Sequence, residues 1–408
     1  MNCVCAFGKA SLKFNMNEES TYLLKVLKSF IQNANPGAFN GDWHNLIRLA
    51  NIHSVIGILG YMVIKYPNES NAHLAEFMKK QYLKTIALLS MRDENMKSLI
   101  HSMNTCGIDH LIFKGYIVKN YYPIPELRTF GDIDFLIRCE DRQKSDELMI
   151  QQGFERKTDW EPVFSYRRAN EYYEIHTDVM EVDVSDKANY KDYFRHVWEH
   201  AHLTDEHTYE LSPEFHFLYL LTHIAKHISG SGAGIRMYMD IAVFIQHFGN
   251  ELDWKYIQAE LEKLAFSDFA NMVLTVVNVY FGVDVPINLN VIDEQVLEDF
   301  MGFTMSGGTF GFVGRDSGLI SLKKQKSNKE SISRVSVFAD RLFPSAASIE
   351  SRYTYLQGHH WLLPVAWVHR FIRTKDTWGS HAKEAKSIMN TDTEEVLKLK
   401  RIYKEIGL

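Results

Sequence analysis

Apolar side chains recur three and four apart over residues 20–34, 42–65 and 71–104, as in "LLKVLKSFI" and "LAEFMKKQYLKTIALLSMRDENMKSLI". That is the period of helices that bury one face. From residue 108 the pattern changes. "IDHLIF" is a short β-prone run ended by Gly115, "FGDIDFLIR" is a second, and "FSYRRANEYYEIHTDVMEVDV" reads as a hairpin turning near Ala169 and Asn170. Between them "EDRQKSDELMIQQGF" predicts a helix that stops at Gly153. Helical periodicity returns in "LSPEFHFLYLLTHIAKHI", with Ser212 as N-cap and Pro213 at the first helical position. Further helices are expected at 236–248, 253–265 and 268–281, and "WLLPVAWVHRFIR" and "EEVLKLKRIYKEI" close the chain. The polar, basic stretch "SLKKQKSNKESISR", 321–334, reads as a mobile loop and an early protease site. The whole pattern predicts an α/β (α+β) protein: a helical region over 1–104, a small mixed-sheet core over 105–205 and a second helical region over 206–408.

The second β-prone run starts with two acids, Asp132 and Asp134. On a strand, side chains two apart share a face, so these carboxylates project together while Ile133 and Phe135 enter the core. Close carboxylates repel each other unless a cation neutralises them, and oxygen ligands suit Mg²⁺, with Mn²⁺ as the alternate ion. A third acid on a neighbouring strand allows two metals about 4 Å apart, the arrangement that clamps both oxygens of a phosphoryl-type displacement. "YYEIHTDVMEVDV" offers Glu174, Asp178, Glu181 and Asp183 for that place. Lys114 can hold a triphosphate as a point charge and Arg128 as a bidentate fork. Gly115 permits close backbone approach to a phosphate at the start of a helix.

Composition narrows the partners. The 408 residues (47.4 kDa) are 46% hydrophobic and 24% charged, ordinary for a globular chain of two or three packed units. A formal net charge of −6 leaves no footprint for general nucleic-acid binding, so an anionic ligand must be held locally. Four cysteines without a Cys-x-x-Cys pair suit a reducing cytoplasm. The longest apolar run, "VIGILGYMVI", is too short to span a bilayer, so no membrane partner is expected.

"FKG" followed by "GDIDFLI" resembles the nucleotidyltransferases of the DNA polymerase β type, whose pattern is a Gly-Ser or similar dipeptide, Asp-x-Asp on a strand, and a third acid on the next strand. The Lys-Gly variant, with "LRTFGDIDFLI", "YYEIH" and a late "RLFPSAASIESRYTYL", is similar to a little-characterised bacterial family of nucleotidyltransferases over roughly residues 80–372. The resemblance implies a magnesium-dependent enzyme that moves a nucleoside monophosphate from an NTP to a hydroxyl-bearing acceptor and releases pyrophosphate. Asp132, Asp134 and Glu174 would then be catalytic and hold the metal, with Glu174 preferred by the family's acid-x-His pattern and Asp183 as runner-up. Lys114, Gly115, Arg128 and Gly131 would bind the nucleotide, and His176, Arg236 and Asp240 would face the substrate. The acceptor stays open among a small molecule, a protein side chain and an RNA end, the acidic balance disfavouring RNA. A catalytically silent scaffold that binds a nucleotide or a protein partner is the alternative. A zinc hydrolase built on His223 and His227, one helical turn apart, is a weaker one because "HIAKH" lacks the glutamate of a metalloprotease helix.

Overall fold

The computed structural model describes residues 16–158, 162–180, 184–230, 232–309, 343–350, 353–373 and 393–408. The basic stretch 321–334 and the acids Glu181 and Asp183 lie outside them. The described residues fall into two compact units, the larger running to residue 309 and adding 405–408, the smaller lying between 343 and 404.

The larger unit opens with helices α1 (Glu18–Ile31), α2 (Trp43–Ile52), α3 (Ile56–Lys65) and α4 (Ala75–Thr105), followed after the first strand by the single-turn helix α5 (Gly115–Val118). Asn17 and Asp42 cap α1 and α2 by accepting amides of the first turn. The helix expected over 42–65 is broken in two. At the break Ser54 takes a positive φ of 57°, and the last carbonyls of α2 find partners outside the helix. Ile52 O accepts from the Thr309 amide and hydroxyl, and Ser54 O from the Thr129 hydroxyl.

Seven strands follow among the described residues: β1 (His110–Phe113), β2 (Ile133–Ile137), β3 (Glu155–Arg156), β4 (Val163–Arg168), β5 (Glu171–His176), β6 (Ala201–Asp205) and β7 (Thr208–Leu211). They form one mixed sheet in the order β3-β4-β5-β2-β1-β7-β6. β2 runs parallel to β5 and β1 parallel to β7, and the other neighbours are antiparallel. The β4–β5 hairpin turns at Ala169, which carries a φ of 50°. The β6–β7 hairpin was not among the expected strands; its residues are mostly polar and exposed, so no apolar alternation marks it.

Alternation along β2 sorts the sheet's two faces. Ile133, Phe135 and Ile137 join Tyr173, Ile175, Phe164 and Tyr166 in a core closed by Met96, Leu99 and Met103 of α4 and by Leu148 and Met149 of α6 (Arg142–Gln151). A fully buried side chain of this size contributes about 1.5–3 kcal/mol. The opposite face carries Asp134 and Glu174. It is covered by α8 (Pro213–Gly230), whose Tyr219 ring meets Phe113 of β1 edge-on at 5.4 Å. Between α6 and α8 lies the short helix α7 (Tyr190–Arg195), and α9 (Ile235–Phe248), α10 (Trp254–Lys263), α11 (Ser267–Val276) and α12 (Glu294–Ser306) complete the unit. In the smaller unit, Tyr353, Leu356 and Ala366 pack against Ile349, Leu362 and Leu363. No helix among the described residues is long and apolar enough to cross a membrane.

Two histidines buried in the larger unit give its stability a pH dependence. His53, wholly buried, offers Nε2 to the Met305 carbonyl at 3.2 Å, and burial pushes it down to about 4. Burial pushes His216 down to about 4 as well. An unfolded histidine takes its proton near pH 6.5, so below that pH the proton favours the unfolded chain. Stability should fall as pH drops from about 6.5 towards 4, by up to about 3 kcal/mol for each histidine. Urea unfolding at pH 7 and pH 5 measures this, with His53→Gln expected to flatten the slope; equal stability at both pH values would contradict the assignment.

Candidate functional site

The sheet register brings the acids together. Phe113, Asp134 and Glu174 are direct neighbours across β1, β2 and β5. Parallel pairing of β2 with β5 sets the Asp134 and Glu174 carboxylates side by side on the face opposite the core. His176, two residues beyond Glu174, shares that face. Its Nε2 lies 3.0 Å from Asp134 Oδ1 and 3.6 Å from Glu174 Oε2. Ligand atoms of Asp134, Glu174 and His176 all lie within 4.8 Å of one another, a group able to hold a metal ion.

Lys114 closes the cluster from the end of β1. Its Nζ donates to Asp134 Oδ1 at 2.5 Å, and both side chains are nearly buried. The backbone of Lys114 has φ 61° and ψ −139°, a conformation that a residue with a Cβ rarely adopts and that costs about 1–3 kcal/mol unless its surroundings enforce it. Here the carbonyl of Lys114 accepts the Val118 amide while its side chain is fixed by Asp134. The titration of the pair follows from this packing. Burial alone would raise Asp134, but Lys114 and His176 hold it well below the usual carboxylate range. Burial would lower Lys114 and His176, and their carboxylate partners raise both instead.

Asp132 sits one residue before β2 begins, half-buried, and is not part of the three-ligand group. Burial raises its carboxyl, and the Asp134 charge adds to this. The carboxylates of Asp132, Asp134 and Glu174 thus concentrate negative potential, which Lys114 and His176 offset at Asp134 and which Arg92, Arg128 and Arg236 also feel through Asp132. A hard cation with oxygen ligands suits such a set, so the residues present fit Mg²⁺ or Mn²⁺.

Arg128 is engaged by α9. Its fork is bidentate on Asp240 of α9, Nε at 3.1 Å from Oδ1 and Nη2 at 2.5 Å from Oδ2, and Nη1 donates to the Thr129 carbonyl. The Tyr122 hydroxyl donates to the same Asp240 at 2.7 Å. Arg128 and Asp240 therefore form a buried pair that joins the β1–β2 connection to α9. The guanidinium lies over Gly115, where a Cβ would come within 2.0 Å of Nη1. Gly115 is thus required by Arg128. Gly131 is exposed at the bend before β2. Arg236, also on α9, donates from Nη1 to the Thr129 carbonyl and hydroxyl, while its buried Nε has no partner. Burial and then the Arg128 charge lower it to about 10.

Two further groups reach this face. His223 and His227 of α8 lie one turn apart, their rings 4.6 Å between centroids, and Tyr219 stacks on His223 at 6.0 Å. Burial and then the Lys114 charge lower both, His227 to about 4. Their spacing was visible in the sequence, but only the fold places them opposite Lys114.

Adjacent carboxylates on neighbouring strands of a mixed sheet are thus met by a lysine at the preceding strand-to-helix turn. The chain belongs to the uncharacterised nucleotidyltransferase family, whose model matches residues 40–282. The match takes in α3, α4 and the whole sheet, and it ends before the late "RLFPSAASIESRYTYL" that the sequence resemblance had included. Searches of curated proteins and of solved structures each found no match.

Because Asp240 pins the guanidinium over Gly115, a methyl group there cannot be accommodated by a side-chain swing. Gly115→Ala should lower the unfolding free energy by about 1–3 kcal/mol, the usual cost of overpacking. Denaturant unfolding measures it, and a variant as stable as the parent would show that Arg128 moves freely.

Proposed function

We propose that this protein transfers a nucleoside monophosphate from an NTP to a hydroxyl-bearing acceptor, with Asp132, Asp134 and Glu174 as the acids that hold Mg²⁺. The observation that carries the reading is the register that sets Asp134 beside Glu174 with Lys114 at their edge, in a chain of the nucleotidyltransferase family. The ion supplies charge neutralisation at the α-phosphate and along the triphosphate when bound.

The protein's own groups do the rest. Asp134 and Glu174 fix the reacting end of the nucleotide, and Asp132 adds its carboxylate at the mouth of the site. Lys114 leaves Asp134 for a phosphate oxygen, exchanging one anionic partner for another. His176 orients Asp134 through its 3.0 Å contact. The acceptor hydroxyl gives its proton to Glu174, its oxygen forms the new bond to the α-phosphorus, and the bond to the bridging oxygen breaks as pyrophosphate leaves with the electron pair. Arg128 and Asp240 are placed as a clamp holding the Lys114-Gly115 turn, and Gly131 as a spacer before Asp132. As the acceptor, a small molecule or a protein side chain suits the acidic chain better than RNA.

Calorimetric titration with Mg²⁺ and a non-hydrolysable NTP tests the division of labour. Asp132→Asn and Asp134→Asn should weaken binding tenfold or more, about 1.4 kcal/mol. Glu174→Gln should weaken binding less than either aspartate change if Glu174 serves mainly as the base, and lose pyrophosphate release, since a base acts in the transition state. Nucleotide binding unaffected by chelator in the parent protein would contradict the metal-bridged reading.

A further inference from the structure

The site has two poles. On the sheet side stand the carboxylates of Asp132, Asp134 and Glu174; facing them from the covering helices are nitrogen groups with little to satisfy them. His223 and His227 lie at i and i+4 on α8, which places them on one face. A continuous run of ring contacts fixes that face to the acids: His176 meets Phe113 at 5.5 Å, Phe113 meets Tyr219 at 5.4 Å, and Tyr219 meets His223 at 6.0 Å. Among the described residues neither imidazole has a hydrogen-bond partner, although both are half-buried. Arg236 stands nearby on α9 with a buried, unpartnered Nε, and no carboxylate is bonded to its guanidinium, because Arg128 takes Asp240.

The electrostatics of this pole are those of crowded cations. Lys114, Lys226 and Arg236 each oppose a proton on His227, and Lys114, His227 and Lys226 oppose one on His223. Only Asp134 acts the other way on either ring. Such a group is relieved by an anion, and an anion of two phosphates suits it best, because neutral imidazoles still donate N–H and become better donors once negative charge arrives.

We infer that His223, His227 and Arg236 form the subsite for the diphosphate end of the nucleotide, and so for the pyrophosphate product, across the cleft from the acids. This rests on the proposed nucleotidyl transfer and adds its leaving-group site. A zinc site at the two histidines is a weaker reading, since no third ligand stands with them among the described residues. The arrangement matches a magnesium–triphosphate, whose cation meets the carboxylates while its terminal phosphates meet the nitrogens.

The full-length protein is titrated with pyrophosphate, a non-hydrolysable NTP and the corresponding nucleoside monophosphate, each with Mg²⁺. His223→Asn/His227→Gln should weaken pyrophosphate and NTP about tenfold, the scale of a lost charge-assisted hydrogen bond, and leave monophosphate unchanged. Footprinting of the parent protein with diethyl pyrocarbonate, read by peptide mass mapping, avoids any folding defect in the variant. Both histidines should be protected by pyrophosphate and not by the monophosphate. Unchanged pyrophosphate affinity in the variant, or no protection in the parent, overturns the subsite while leaving NTP binding intact as evidence for nucleotidyl transfer. A parent that binds neither NTP nor pyrophosphate overturns both, and equal loss of the monophosphate would move the histidines to the nucleoside or acceptor side.

Discussion

The ammonium of Lys114 rests against the Asp134 carboxylate at 2.5 Å, both side chains shielded from water. Either charge alone in that place would be costly, and removing one partner of such a pair commonly costs about 3–5 kcal/mol. The pair also steadies the unusual backbone of Lys114, which in turn sets where the chain leaves β1 and where Gly115 begins the next turn. The Lys114 ammonium is the cation paired with Asp134. On the proposed function, Mg²⁺ and nucleotide must compete with it, and the lysine then follows the phosphates.

Around that pair the fold builds a frame that ties distant parts of the chain to the β1–β2 connection. Arg128 locks to Asp240, Arg236 holds Thr129, and the Thr129 hydroxyl reaches the end of α2 at Ser54. Helices from before and after the sheet therefore meet at a single stretch of about three residues beside the acids. The family match spanning 40–282 covers every member of this frame.

The helices and most strands of the larger unit were legible because periodicity is a local property. Ile133 and Phe135 face the core and Asp134 faces away, as alternation requires. Asp132, one residue before the first paired residue of β2, still lies close enough to Asp134 and Glu174 to feel both charges. Arg128 and Gly115 were legible as a candidate phosphate fork and turn, but the partner of Arg128, Asp240, lies 112 residues away and no local pattern announces it. His223 and His227 were legible as a pair and illegible as part of the site for the same reason. The β6–β7 hairpin was hidden by its polar, exposed surface.

The account's central claim is that Lys114 and a metal ion are alternative partners of Asp134. A crystal structure with Mn²⁺ and a non-hydrolysable NTP, its ion located by anomalous scattering, tests this directly. The expected result is an ion bound by Asp132, Asp134 and Glu174, with the Lys114 ammonium moved from Asp134 to a phosphate oxygen. An intact Lys114–Asp134 pair with the nucleotide bound elsewhere, or an ion bound away from these acids, would contradict it.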